Sequence, residues 1–277
     1  MAHSIMKTIF IYTMLILALS LGLSVPVIAA DFAATKVKAE QGHADAQYRL
    51  ALMYDYGEEI DQDYAQAFKW YQKSANQGYA EAQYNLGWMY KNAHGMAEDN
   101  AKAVEWYLKA ANQGYASAQA TVGSMYYSGK GVTQSYAKAL EWYSRAANQG
   151  EAVGQYNMGI SYDQGVALPQ DFEKAVEWYQ KAADQDFSDA QYNLGLMFEA
   201  GKGVSQDYNK ALKWYRDAAD QDDANSQYRL GVMYEAGKGV PKDKVEAQEW
   251  YQIACNNDYA KGCKAYDRLN AKELRRH

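Results

Sequence analysis

Residues 188–223 decide the fold, and they read SDAQYNLGLMFEAGKGVSQDYNKALKWYRDAADQDD. Versions of this stretch recur along the chain, and each contains a Trp–Tyr pair that returns after 36 residues without an insertion or deletion. The tryptophans of these pairs, the tryptophan column, are Trp70, Trp106, Trp142, Trp178, Trp214 and Trp250. A fixed period of this length is typical of solenoids and other repeat architectures.

Each repeat carries the signals of two helices. In the first repeat, Asp63 precedes an apolar-periodic stretch and Gly78 follows it, which indicates an N-cap and a C-terminal turn. We therefore expect helices over residues 44–54 and 63–77, with equivalent pairs in the other repeats. One position of the second helix is always Ala, which lets a neighbouring helix approach closely. Because neither helix is apolar enough to stand alone, stacking predicts an all-α fold, an α/α solenoid (superhelix) of six 36-residue helix-turn-helix repeats with capping helices.

The expected domain organisation follows from this period. The six repeats occupy residues 44–79, 80–115, 116–151, 152–187, 188–223 and 224–259, and together span 44–259. Residues 31–43 predict an N-terminal capping half-helix, because AEQGHA at 39–44 parallels ANQGYA at 75–80. Residues 260–277 begin like a seventh repeat and then become charged, which predicts a C-terminal capping helix.

The first 30 residues have the three parts of a secretory signal peptide. Lys7 precedes a nearly uninterrupted apolar run from Ile9 to Ile28, and the small residues Ala29 and Ala30 follow it. We expect a cleaved signal peptide over residues 1–30, a periplasmic or secreted location, and no transmembrane span after cleavage. An uncleaved membrane anchor is the alternative, since about 20 apolar residues can span a bilayer.

The recurring pattern A-x-x-Q-Y-x-L-G-x-M-Y-x-x-G-x-G-V-x-x-D-x-x-K-A-x-x-W-Y-x-K-A-A-x-Q-G resembles the Sel-1-like repeat family, which is related to the tetratricopeptide repeats. The resemblance implies an α/α solenoid that acts as a binding scaffold in signalling, envelope or host-interaction complexes. The second repeat departs from the pattern in its loop, where residues 91–96 read KNAHGM in place of the G-K-G-V form. We expect that loop to have an altered shape.

By resemblance to tetratricopeptide repeats, the first helix of each pair lines a concave binding groove. The candidate groove residues are Tyr48, Tyr84, Trp88, Tyr156, Tyr192, Tyr228, Asp55, Asp163, Glu199 and Glu235. Trp88 is the one tryptophan outside the tryptophan column and is the best candidate for an anchor. The four acids favour a protein or peptide partner with Lys or Arg. The alternative for the tyrosines is that their rings simply pack between adjacent helices.

The two cysteines, Cys255 and Cys263, lie eight residues apart and replace an Ala and a Gln of the earlier repeats. A turn over residues 257–259 would bring them face to face, and an even pair in an exported protein is most simply a disulfide. The spacing also resembles that of cysteine-rich Sel-1-like proteins, whose helix pairs are cross-linked in this way. Two free buried thiols are the alternative.

Other chemistry has weak support in the sequence. The chain has 28 Lys and Arg against 34 Asp and Glu, a net charge of −6, which argues against nucleic acid as a partner. Ser135 and Lys138 match the S-x-x-K motif of penicillin-recognising enzymes, but both stand at ordinary positions of the repeat. We identify no spacing typical of a catalytic set, a metal site or a cofactor site.

These observations together predict a non-catalytic protein–protein interaction scaffold of the cell envelope or outside the cell. Two alternatives remain open: a weak β-lactam-binding or β-lactam-hydrolysing or peptidoglycan-related enzyme, and a glycan-binding module whose aromatic rings stack on sugars. The sequence does not identify the partner, and it leaves the oligomeric state open.

Overall fold

The computed structural model describes residues 25–58 and 60–274, and over these residues the chain forms fourteen α-helices and no strand. The prediction of an all-α solenoid built from helix-turn-helix repeats is confirmed. The helices are α1 Val25–Glu40, α2 Ala44–Tyr56, α3 Tyr64–Asn76, α4 Ala80–Asn92, α5 Asn100–Asn112, α6 Ala116–Ser128, α7 Tyr136–Asn148, α8 Ala152–Gln164, α9 Phe172–Ala183, α10 Ser188–Ala200, α11 Tyr208–Ala219, α12 Ala224–Ala236, α13 Lys244–Asn256 and α14 Ala260–Leu274.

The helices belong to two compact units, one up to Tyr115 and one from Ala116 onward. The first unit contains α1–α5 and therefore the first two repeats, and the second contains α6–α14 and the other four. Within each unit, every helix packs against the helix before it and the helix after it. This pattern of neighbour contacts is the one a stacked repeat requires.

The N-terminal helix begins earlier than the predicted capping half-helix over residues 31–43. Most of the predicted signal segment, residues 1–24, lies outside the described residues, and α1 starts at Val25. Pro26 is compatible with this start because the first turn of a helix has no intrahelical partners for its N–H groups. Of the helices in residues 25–58 and 60–274, none is both long enough and apolar enough to cross a membrane.

The ends of the second helices follow the predicted signals. Each helix is preceded by a side chain that accepts a hydrogen bond from a backbone N–H of the first turn, namely Asp63, Asp99, Ser135, Asp171, Asp207 and Asp243. The turn after the helix needs a left-handed residue. Gly78 supplies it with φ of +91°, and Asp186 takes the equivalent position in the fourth repeat with φ of +59°.

The core lies between the two helices of each repeat and is built around tyrosine. The tyrosine of each Trp–Tyr pair is at most 2% exposed. These residues, the buried tyrosine column, are Tyr71, Tyr107, Tyr143, Tyr179, Tyr215 and Tyr251. The facing helix approaches so closely that a Cβ on Gly195 would lie 2.5 Å from the Tyr215 ring. The invariant Ala on the second helix is also buried, as expected for a close helix contact.

Candidate functional site

Within each unit, a ladder of buried glutamines joins successive repeats and positions the first helices. In unit one, the Gln83 amide donates to the Ala75 carbonyl at 3.1 Å and accepts from the Gln113 amide at 2.7 Å. The same arrangement holds in unit two, where Gln227 donates to Ala219 at 3.3 Å and accepts from Asn257 at 2.9 Å. Because these side chains are buried, each satisfied amide fixes the offset of one repeat on the next.

At one position, the predicted cysteine pair replaces the hydrogen bond of this glutamine ladder. Cys255 and Cys263 are bonded to each other, with their Cα atoms 4.5 Å apart. Their positions are those of Ala219 and Gln227 one repeat earlier, so a covalent bond replaces a side-chain hydrogen bond at the same place. The disulfide connects the end of α13 to the start of α14.

The tyrosines predicted to line the groove lie in aromatic clusters and are partly buried. The Tyr48 ring lies 5.9 Å from the Tyr71 ring and 5.1 Å from the Tyr79 ring, centroid to centroid. Equivalent contacts surround Tyr84, Tyr156, Tyr192 and Tyr228. Burial is the main reason that the pKa of Tyr48 rises to about 12. The rings therefore pack between helices, while partner binding by their exposed edges stays a prediction.

The four predicted groove acids accept hydrogen bonds from the buried tyrosine column. The hydroxyl-to-carboxylate distances are 3.0 Å for Tyr71–Asp55, 3.4 Å for Tyr179–Asp163, 2.8 Å for Tyr215–Glu199 and 2.9 Å for Tyr251–Glu235. Burial first, and the adjacent carboxylate second, raise the pKa of these tyrosines. The acids thus have a structural role in addition to any part in binding. Sequence reasoning missed it, although the constant spacing of 16 residues between acid and tyrosine was a usable signal.

Two of these acids also bind cations that the following repeat supplies. Arg268 holds Glu235 with both guanidinium nitrogens, at 2.7 and 2.5 Å. Glu199 lies 3.8 Å from Arg229 and 3.5 Å from Lys238. The predicted attraction of this surface for basic groups is therefore met, at these two acids, by the chain itself.

A pocket lies beside Asp163, at the contact of α8 with α10. It is lined by Asp163, Asn193, Leu196, Met197, Ala200 and Lys202. Leu196 and Met197 supply apolar wall, and Asp163 supplies a carboxylate. The Lys202 ammonium lies over the Phe172 ring, 5.2 Å from its centroid.

Trp88, the predicted anchor, lies on α4 with 37% of its surface exposed. The His94 ring meets it edge to face at 4.6 Å and also stacks on Tyr64 at 4.6 Å. The expectation of an altered loop shape is wrong, because the His94 N–H bonds the Met89 carbonyl just as the Lys202 N–H bonds the Met197 carbonyl. Ala93 adopts the left-handed conformation that glycine has in other repeats. What differs is the side chain, a histidine where repeats three, five and six have lysine.

The tryptophan column packs against neighbouring residues and is buried or partly buried. Trp70 and Trp142 are 8% exposed, and the other members are partly buried. A Lys or Arg covers the ring in five members: Lys73 on Trp70, Lys109 on Trp106, Arg145 on Trp142, Lys181 on Trp178 and Lys213 on Trp214. Such cation–π contacts add to the packing of the ring.

The S-x-x-K match has a structural use in the repeat. The Ser135 hydroxyl accepts from the Lys138 backbone N–H at 3.4 Å and so caps α7. The Lys138 ammonium points elsewhere, 5.1 Å from the centre of the Tyr126 ring. Among the described residues, no three or more His, Cys, Asp or Glu side chains are grouped in a way that could hold a metal ion.

Comparison with known proteins identifies the fold family. The family model described as Sel1 repeat matches residues 44–79, 80–115, 116–151, 152–187, 188–223 and 224–259. A search of curated protein sequences finds no match to this chain.

Two solved structures show the same family relationship. The crystal structure of c5321, a protective antigen of uropathogenic Escherichia coli strains with an SLR fold, is 37% identical with a TM-score of 0.76. That match covers 85% of this chain but only 50% of the antigen chain. A Sel1 repeat protein from Oxalobacter formigenes is 32% identical with a TM-score of 0.73, and the match covers 77% of this chain and 86% of that one. The chain therefore belongs to the Sel1 repeat family, whose fold serves protein–protein interaction.

Proposed function

We propose that the protein is a scaffold without catalytic activity of its own that binds a protein or peptide on the exposed face of its first helices. The observation that carries this proposal is the exposure of the Trp88 side chain. This residue exposes 37% of a large aromatic surface, whereas a Lys or Arg covers the ring in five of the six members of the tryptophan column. An exposed aromatic residue on a rigid helix is the kind of anchor that dominates the binding energy of protein interfaces.

The surroundings of Trp88 favour an anchor rather than a mobile side chain. The edge-to-face contact with His94 holds one side of the indole, and Tyr64 in turn supports His94. A side chain that is already held loses little rotamer entropy on binding. A partner segment can therefore gain most of the energy of covering the indole.

We further propose an extracytoplasmic location, periplasmic or secreted. The disulfide supports it, because such bonds persist in oxidising compartments and are rare in the cytosol. The similarity to a protective antigen supports it as well. Sequencing the N-terminus of the exported chain tests the signal peptide, and we expect Ala30 or Asp31 as the first residue. An intact Met1 on the exported form would instead indicate a retained anchor.

Photocrosslinking from position 88 tests the binding surface directly. Benzoylphenylalanine in place of Trp88 is expected to form adducts with a small set of proteins in native cells. The matched control carries the same group in place of Ile253, which is 40% exposed on a second helix. Excess wild-type protein should suppress the adducts at position 88, and excess Trp88→Ala should not. Equal adduct patterns at positions 88 and 253 would remove the claim for this surface.

Two further measurements address the alternatives. Labelling with a reporter penicillin is expected to give no adduct that depends on Ser135, and such an adduct would contradict the non-catalytic proposal. Saccharide titration followed by tryptophan fluorescence is expected to give no saturable change. A saturable change lost in Trp88→Ala would make this surface a glycan site.

A further inference from the structure

Two arginines of the chain itself, Arg229 and Arg268, form ion pairs with acids of the first helices and show how these acids bind a cation. At the contact of repeat six with α14, Arg268 grips Glu235 with two nitrogens. At the contact of repeats five and six, Arg229 and Lys238 flank Glu199. In both places the cation comes from the next helix pair and lies beside a carboxylate that also accepts a buried tyrosine hydroxyl.

At the contact of repeats four and five, Asp163 occupies the position of Glu199 and Glu235, but neither equivalent arginine is present. Asn193 stands where repeat six has Arg229, and Leu196 stands where α14 has Arg268. The ion pairs found among the described residues of the second unit involve other acids. The Tyr179 hydroxyl reaches Asp163 only at 3.4 Å, a long hydrogen bond that leaves acceptor capacity on the carboxylate.

The shorter side chains leave the pocket beside Asp163 open. Its apolar lining by Leu196 and Met197 suits the methylene stem of a long basic side chain. Its carboxylate suits the charged end, and a planar guanidinium can bind such a group with two parallel hydrogen bonds. Lys202, at the edge of the pocket, has its ammonium over the Phe172 ring. The ion pairs of the described residues in the second unit do not include one between Lys202 and Asp163.

From this juxtaposition we infer that the Asp163 pocket receives an arginine side chain of the partner polypeptide, in the place that Arg229 and Arg268 fill at the two following contacts. This inference rests on the proposed function, because it specifies the chemistry of the partner. It also separates the four predicted acids. Glu199 and Glu235 are occupied from within the chain, whereas Asp163 has room for a residue from outside.

The test uses N-acetyl-arginine amide as the probe and the full ¹⁵N-labelled chain, observed by NMR. We expect saturable shifts at the backbone amides of Asn193 and Leu196. The neutral isostere N-acetyl-citrulline amide should bind about tenfold more weakly or more, because it lacks the charge-assisted bonds. Equal shifts with the two probes, or shifts centred outside the pocket, would overturn the inference.

Three variants make the result specific. Asp163→Asn keeps an acceptor for Tyr179 but removes the charge, and it should weaken the arginine probe about tenfold or more. Asn193→Arg restores the residue of repeat six, so the chain fills its own pocket and the probe should no longer bind there. Glu199→Gln is the matched control, since its acid is already paired, and it should leave probe affinity unchanged. Unchanged probe affinity in Asn193→Arg, with the fold intact by circular dichroism, would refute the inference.

The two proposals can fail separately. If the adducts at position 88 form but Asp163→Asn and Asn193→Arg bind the identified partner as wild type does, the pocket assignment fails and the scaffold function stands. If the arginine probe binds as expected but no protein is captured through position 88, the chemistry of the pocket stands and the proposed anchor fails.

Discussion

Two contacts between helices of the second unit are stabilised by different chemistry at equivalent positions of the repeat. Between α11 and α12, Gln227 donates to the Ala219 carbonyl and accepts from Asn257. Between α13 and α14, Cys255 and Cys263 occupy the equivalent positions and form a disulfide. The inner contact therefore relies on a buried side chain that needs partners on both sides. The contact of α13 with α14 is secured by one covalent bond, which needs no partner from a following repeat.

The largest expected effect concerns what both contacts share, the buried tyrosine column. Tyr215→Ala should lower the local free energy of unfolding by about 3–5 kcal/mol, because it empties a fully buried position between two helices. Tyr215→Phe should cost only about 1 kcal/mol, the loss of the hydrogen bond to Glu199. Native-state hydrogen exchange of α10–α12 measures both. Similar costs for the two variants would mean that the hydroxyl, and not the ring, holds the repeat.

The next effect tests the disulfide against the hydrogen bond that it replaces. Replacing both cysteines by alanine should cost about 2.6 kcal/mol at the last contact, the chain-entropy value for a loop of this size. The pair Cys255→Ala with Cys263→Gln rebuilds the inner arrangement and should recover about 1 kcal/mol of that loss. Exchange rates of α14 amides report the difference. Identical protection in the two double variants would show that the position is not equivalent to Gln227.

A smaller effect is expected from removing only the hydrogen bonds of Gln227. Gln227→Ala leaves the Ala219 carbonyl and the Asn257 amide without this partner and should cost about 1–2 kcal/mol. The loss should appear on both sides of α12, since the side chain links the repeat before it to the turn after it. Native-state hydrogen exchange of the α11 and α13 amides checks this. The control is Gln221→Ala, because the Gln221 amide only donates to Gln191, at 2.9 Å, from the outside of the equivalent hydrogen bond one repeat earlier. Loss confined to one side would contradict the ladder.

The smallest effect is a loss of stability that appears only in alkali. Burial raises the pKa of Tyr156 from its ordinary value of 10 to about 12. A pKa that is higher in the folded state gives a contribution that is complete below pH 10 and is lost as the pH rises toward 12. Alkaline unfolding followed by circular dichroism should therefore show that stability falls less steeply with pH in Tyr156→Phe than in the wild type. A steeper loss in that variant would reverse the sign of the argument.

Much of the fold could be predicted from local sequence. The capping carboxylate of Asp63 and the left-handed Gly78 lie within a few residues of the helix that they delimit, so the predicted 63–77 and the observed Tyr64–Asn76 nearly coincide. The cysteine pair was predictable for the same reason, since its members flank one turn. The loop of repeat two was mispredicted because Ala93 accepts a conformation that the pattern reserves for glycine.

The candidate site was less predictable, because its contacts cross from one repeat to the next. The sequence showed that Asp163, Glu199 and Glu235 recur at one position, but not that each accepts a tyrosine hydroxyl 16 residues away. It also could not show that Arg268, 33 residues after Glu235, folds back onto that acid. Such pairings depend on the offset between stacked helix pairs.

The sequence by itself determined the period, the two helices of each repeat, their caps and the family, because these follow from spacing within a single repeat. Only the tertiary structure decided which polar groups are already satisfied and which surface is left available. Trp88 has 37% of its surface exposed, and the pocket at Asp163 remains open because of which side chains the next helix pair places there. A one-dimensional pattern lists those side chains, but their reach is set by how one helix pair packs on another.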